Sequence, residues 1–173
     1  MRALFVSLIC ALATAVFGAD DTFKAGSFNF QKPASFTSKP TPPGGMRAAQ
    51  LEYKGADGKV AEVIFYYFGQ GQGGGTQANV DRWLGQFEEP KDKINSKVEE
   101  KKVGSSKITY VEAEGTYKSG MPGAAPTPKP GTKLLGAILE SPNGNVFARM
   151  TGPIATVKAA DADFRKMIES AFK

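Results

Sequence analysis

Two dipeptides constrain this chain more than any other feature: Asp57-Gly58 and Asn143-Gly144, each set between runs of strand-forming residues. Asp-Gly and Asn-Gly tolerate the positive φ angles of a tight hairpin turn, so the flanking runs are tied into antiparallel pairs. The first pair joins residues 46–53 to 60–68, and the second joins 134–139 to 146–150. Residues 63–68 are apolar or aromatic at every position, which suits an interior strand covered on both faces. A third hairpin is expected around Gly104-Ser105-Ser106, between 98–103 and 107–117. Its second strand puts Ile108, Tyr110, Glu112 and Glu114 on one face and Val111, Ala113 and Tyr117 on the other.

Around these hairpins the pattern changes period. Val80, Trp83, Leu84 and Phe87 recur at helical spacing, with Thr76 read as the N-cap, and this predicts a helix over 76–87 that buries Trp83. Residues 159–172 place Phe164, Met167, Ile168, Ala171 and Phe172 on one side of a closing helix. Residues 27–30 read as a short strand, followed by a long irregular connection through Pro33 and the proline-rich 39–45. The segment 119–131 holds four prolines and three glycines, and is expected to be a surface loop that is neither strand nor helix. The fold class that follows is α+β: a mostly antiparallel sheet with helices packed on it.

The N-terminus has the anatomy of a secretory signal peptide: Met1-Arg2, an apolar run over 3–16, then small residues at Gly18 and Ala19. The run is short of the ~20 apolar residues of a membrane span. We therefore expect a leader over 1–18 and one domain over 19–173, exported to the periplasm or the exterior, with no stable membrane insertion once the leader is removed. Cys10 follows bulky Ile9 and reads as apolar filler rather than a lipid attachment site. Cys10 is the chain's one cysteine, so the mature domain has no disulfide and no thiol nucleophile.

Histidine is absent, which removes the commonest general base, the usual zinc ligand and the activator of a catalytic serine or cysteine. The net charge of +5 comes from scattered Lys and Arg, so a nucleic-acid footprint is not indicated. No metal-loop spacing or cofactor motif stands out.

Three groups invite a functional reading. The glycine-rich loop 69–75 leads into a helix start, where free N–H groups and the helix dipole favour an anion. The candidate ligand-binding residues are Gly73, Gly74, Gly75, Thr76, Gln77 and Asn79, with Arg82 reaching the anion from the helix. The plain alternative is a connection that folds the helix back onto the sheet. Glu112 and Glu114 share a strand face, as a glycosidase carboxylate pair would; the plain alternative is a solvent-facing surface paired with Lys101 or Lys102. Trp83 with Phe87 is either a ligand platform or core, and their spacing favours core.

Met46-Arg47-Ala48-Ala49, the run 65–69 with its glycine loop, Ala78-Asn79-Val80-Asp81-Arg82-Trp83 with Gln86-Phe87, and Thr151-Gly152-Pro153 with Thr156-Val157 resemble a family of uncharacterised exported bacterial proteins. More distantly, the order of elements is similar to the PsbP family of photosystem extrinsic proteins and the Ran-binding Mog family. That second resemblance implies an α/β/α sandwich and, because fold does not carry function, no catalytic residue. The functional expectation is a non-catalytic exported envelope protein that binds a protein partner or a small anion. The alternative is a carboxylate-dependent hydrolase acting on glycans.

Overall fold

The computed structural model describes residues 22–104, 106–120 and 125–173. The leader over 1–18, Cys10, Ser105 of the third turn and part of the 119–131 segment lie outside the described residues. The elements are β1 (Thr22–Ala25), β2 (Phe28–Gln31), β3 (Phe36–Lys39), β4 (Arg47–Lys54), β5 (Val60–Tyr67), α1 (Thr76–Leu84), β6 (Asn95–Val103), β7 (Ser106–Ser119), β8 (Thr127–Leu139), β9 (Val146–Pro153), α2 (Ile154–Glu169) and a closing 3₁₀ turn, Ser170–Phe172.

All three expected hairpins form. β3-β4-β5 make one antiparallel meander and β6-β7-β8-β9 another, and the two join where β5 pairs with β9. The result is a seven-stranded sheet in the order β3-β4-β5-β9-β8-β7-β6, with β1 and β2 as a separate two-stranded hairpin.

Strand alternation assigns the two sheet faces. Ala61, Val63 and Phe65 of β5, Leu135, Ala137 and Leu139 of β8, and Val146, Ala148 and Met150 of β9 point to one side. There they meet Val157, Ala160, Phe164, Met167 and Ile168 of α2, and Phe30 of β2. The opposite alternation, with Val111, Ala113, Leu134, Ile138 and Phe147, meets Val80 and Trp83 of α1 and Phe87 beyond it. The architecture is three-layered: α2 with the β1-β2 hairpin, the sheet, then α1.

Trp83 is 3% exposed, and its seat is made by a missing side chain. A Cβ on Gly136 would lie 2.3 Å from the indole ring, so the ring lies directly on the β8 backbone, an approach open only to glycine.

Several local expectations need correction. The segment before β4 holds three short strands rather than one; β3 buries only Phe36 and so shows no alternation. The N-cap of α1 is Gly75, in extended backbone with no side-chain cap bond, and Thr76 is the first helical residue. The helix also stops at Leu84, and Phe87 instead bridges to Tyr117. Residues 127–131 are not loop: they form the start of β8 and pair with β7 at Ser119↔Thr127, Lys118↔Pro128 and Tyr117↔Lys129. β9 pairs with β8 only from Thr132 onward, so the outer edge of this ribbon is open and the missing N–H groups of Pro128 and Pro130 cost no ladder bond. α2 begins directly after Pro153, several residues before 159.

Candidate functional site

α1 is nine residues long and covers only the β7-β8 half of its sheet face. Over the β4-β5-β9 half, beside the helix, lies a cleft of about 390 Å³ lined by Arg47, Tyr66, Phe68, Arg82, Trp83, Gln86, Gly120, Phe147 and Arg149.

Sheet register assembles most of it. Arg47 pairs with Tyr66, and Tyr66 with Phe147, so three neighbouring strands contribute one row. Arg149 lies in the next row, between Ile64 and Gly136. A β-bulge decides where Arg47 points. β4 advances two residues, Arg47 to Ala49, while β5 advances one, from Tyr66 to Phe65. An extra residue of this kind re-aims a side chain; here it keeps Arg47 on the cleft face while Ala49 enters the core against α2. The other wall is α1, which brings Arg82 and Trp83, and the residue after its end, Gln86.

The three arginines are held by neutral groups. Arg47 donates to Gln50 Oε1 at 3.0 Å, Arg149 donates to Gln86 Oε1 at 2.8 Å, and Arg82 donates to Asn79 Oδ1. Arg149 also sits 5.9 Å from the centroid of the Tyr66 ring, in cation–π range. Among the described residues none of the three has a carboxylate partner within salt-bridge distance. Nearby acids are engaged elsewhere: Asp81 with Lys91 at 2.7 Å, and Glu62 with Gln50 at 2.8 Å. Three cations in one aromatic-walled hollow, without a carboxylate partner among the described residues, give it a positive potential, and Arg47 and Arg82 are exposed to solvent.

The glycine loop lies behind this cleft, against two of its wall residues. Gly73 has φ +86°, and a Cβ there would lie 2.8 Å from the Phe147 ring and 2.9 Å from that of Phe68. Buried Asn79 donates to the carbonyls of Gly73 and Gly75, both at 2.9 Å, winding the loop onto the helix. Gln77 bonds Asp81, and the Thr76 hydroxyl donates to Glu140 at 2.5 Å, so an acid of the protein already stands beside the helix start. Gly74 and Gly75 are exposed. Of the seven residues read from the sequence, only Arg82 lines the cleft; Gly73 and Asn79 shape it from behind. Arg47, Tyr66, Phe68, Gln86, Phe147 and Arg149 gave no signal, because they are brought together by a bulge and by the non-local β5-β9 pairing.

Glu112 and Glu114 do share a face, but it is the α2 face rather than a solvent-facing surface, and their partners are not Lys101 and Lys102. Lys133 reaches both, at 2.5 and 3.1 Å, with its side chain 5% exposed. Arg165 of α2 takes the other oxygen of Glu112 at 2.7 Å, and Lys158 takes Glu114 at 3.1 Å. Arg165 in turn bonds Asp161 and lies 4.4 Å over the Tyr110 ring. Burial pulls the Lys133 ammonium down, but its bonds to Glu112 and Glu114 outweigh this and hold it above the ordinary lysine value. Burial pushes the Glu114 carboxyl up, and Lys133 and Lys158 more than reverse this. These carboxylates are engaged in clamping α2 to the sheet and line none of the cavities described here.

The solution structure of cyanobacterial PsbP (CyanoP) from Synechocystis sp. PCC 6803 superposes with a TM-score of 0.51, covering 94% of this chain and 96% of that one at 7% identity. The chain has the PsbP-like fold. No family model matches it, and no curated protein matches its sequence.

Proposed function

We propose that this chain is an exported, non-catalytic binding protein whose cleft beside α1 takes a small organic anion. One observation carries the reading: Arg47, Arg82 and Arg149 line a single hollow with Tyr66, Phe68, Trp83 and Phe147, and among the described residues none is ion-paired. The hollow is of the size that small-molecule sites have, ~300–1,000 Å³, and combines apolar walls with a few polar groups as such sites do. Export rests on the leader pattern of residues 1–18, and N-terminal sequencing of the mature protein should begin at Ala19 or Asp20. Among the described residues, no helix is long and apolar enough to cross a membrane.

The test is a titration of the mature chain with butyrate, benzoate and inorganic phosphate, followed by amide and side-chain NMR shifts. Shifts should centre on Tyr66, Arg82, Gln86 and Arg149, and binding should weaken with salt. Arg82→Gln with Arg149→Gln should weaken it by about tenfold or more, since a hydrogen bond to a charged group contributes ~1.5–3 kcal/mol. Shifts confined to Gly74–Gln77 would move the site to the helix start, and shifts spread evenly over the surface would remove it.

A further inference from the structure

The cleft does not end at its arginines. A second hollow of about 400 Å³ opens beside it, lined by Pro42, Gly45, Met46, Arg47, Tyr66 and Phe68. Arg47, Tyr66 and Phe68 belong to both hollows. The Tyr66 and Phe68 rings stand 6.2 Å apart and 11° from parallel, forming one aromatic wall that runs from the arginine end to Met46. Met46 is 60% exposed, the most exposed large hydrophobic side chain among the described residues. Its backbone is anchored at the cleft edge, since its carbonyl accepts the Tyr67 N–H at 3.0 Å. An unbranched thioether held over an apolar hollow fits chains of varying shape.

We infer that the ligand is an anionic amphiphile, its acidic head held by Arg47, Arg82 and Arg149 and its hydrocarbon chain laid along Tyr66 and Phe68 to Met46. This rests on the proposed function and names its ligand class. A bare phosphate would leave most of the first hollow and all of the second empty. A compact aromatic acid would fill the first and leave Met46 in water. The ligand is taken singly rather than as a bilayer surface. The exposed large hydrophobics Met46, Val60 and Val98 do not form one patch: Met46 and Val60 lie at opposite ends of the β4-β5 hairpin, and Val98 is on the far edge strand.

Calorimetric titration of the mature chain with straight-chain carboxylates from butyrate to decanoate, all below micelle formation, tests this. Affinity should rise with each added methylene by up to about fourfold, the worth of ~0.8 kcal/mol of burial. Met46→Gln, at an exposed position, should flatten that gradient without changing the melting temperature, whereas Arg149→Gln should weaken every homologue by a similar factor. Equal affinity for butyrate and decanoate would overturn the inference and leave the proposed function standing. A gradient unchanged by Met46→Gln would also overturn it, by placing the chain elsewhere. Binding to phosphatidylglycerol vesicles without binding of free decanoate would replace it with a membrane surface. No binding of any carboxylate or of phosphate would remove the proposed function itself.

Discussion

The two faces of the sheet handle charge in opposite ways. On the α2 face, cations and carboxylates interlock: Lys133 between Glu112 and Glu114, Arg165 between Glu112 and Asp161, Lys101 on Glu169 at 2.7 Å. A sixteen-residue helix closes that face. On the α1 face, nine helical residues cover half the surface, and the open half is lined by three arginines whose side-chain hydrogen bonds go to amide oxygens. Charges that serve stability are paired, because an unpaired ion taken out of water costs several kcal/mol. Charges left unpaired in a hollow are available to a ligand. On the function proposed above, structural work falls to one face and recognition to the other.

The largest expected effect follows from breaking the paired face. Lys133→Met leaves Glu112 with Arg165 alone and Glu114 with the exposed Lys158 alone, and should cost about 3 kcal/mol in chemical denaturation. The same cluster sets a pH window. Glu114 has a folded value below its ordinary 4.5, so its contribution is present above pH 4.5 and lost as pH falls through the folded value. Lys133 has a folded value above its ordinary 10.5, so its contribution is complete below pH 10.5 and lost as pH rises through the folded value. Stability against urea should therefore fall at both extremes in the parent chain, and Lys133→Met should make the alkaline limb shallower, leaving the part that buried Tyr110 and Tyr117 contribute. A variant as stable as the parent would mean that the cluster is solvated and the contrast between faces false.

A smaller effect tests the seat of α1. Gly136→Ala forces Trp83 off the sheet, since the new methyl would overlap the indole ring. Overpacking of this kind costs ~1–3 kcal/mol. Tryptophan emission reads it directly: the single Trp83 should shift to the red and its quenching by iodide should rise. Unchanged emission would show that the ring does not rest on Gly136.

Much of this fold was legible from the chain, and for a local reason. Asp57-Gly58 and Asn143-Gly144 act across two residues, and the spacing of Val80, Trp83 and Leu84 acts across about one helical turn, so the hairpins and the buried Trp83 could be read. The β5-β9 pairing could not, because it joins strands about eighty residues apart in the chain and neither carries a mark of the other. The prolines of 127–131 misled because a strand with an open edge accepts what an interior strand rejects. The cleft was legible only at Arg82 and Trp83. Arg47 enters through a bulge, and Arg149 reads as an ordinary charge in an apolar strand until the sheet places it between Ile64 and Gly136. The loop 69–75 drew attention for its glycines, yet Gly73 serves chiefly to let Phe68 and Phe147 approach.

The smallest expected effect on stability is the sharpest test of the division between the two faces. Arg47 is exposed, and among the described residues its guanidinium hydrogen-bonds only to Gln50, so a structural role for the side chain would rest on one neutral contact at the surface. Arg47→Gln keeps a polar side chain there and should change unfolding free energy by no more than about 0.5 kcal/mol, as surface substitutions away from buried features do. Relief of repulsion among like charges on this face can even make the change favourable. Binding should respond differently, because Arg47 belongs to both hollows and lies where an acidic head would pass into its hydrocarbon chain. Butyrate and octanoate should each bind several-fold more weakly to the variant, and the salt dependence of binding should become shallower with one cation gone. Arg165→Gln on the other face should reverse the pattern, weakening the fold through the loss of its bonds to Glu112 and Asp161 while leaving butyrate affinity as it was. Equal losses of stability from both substitutions, with no loss of binding from Arg47→Gln, would make the open face as structural as the closed one.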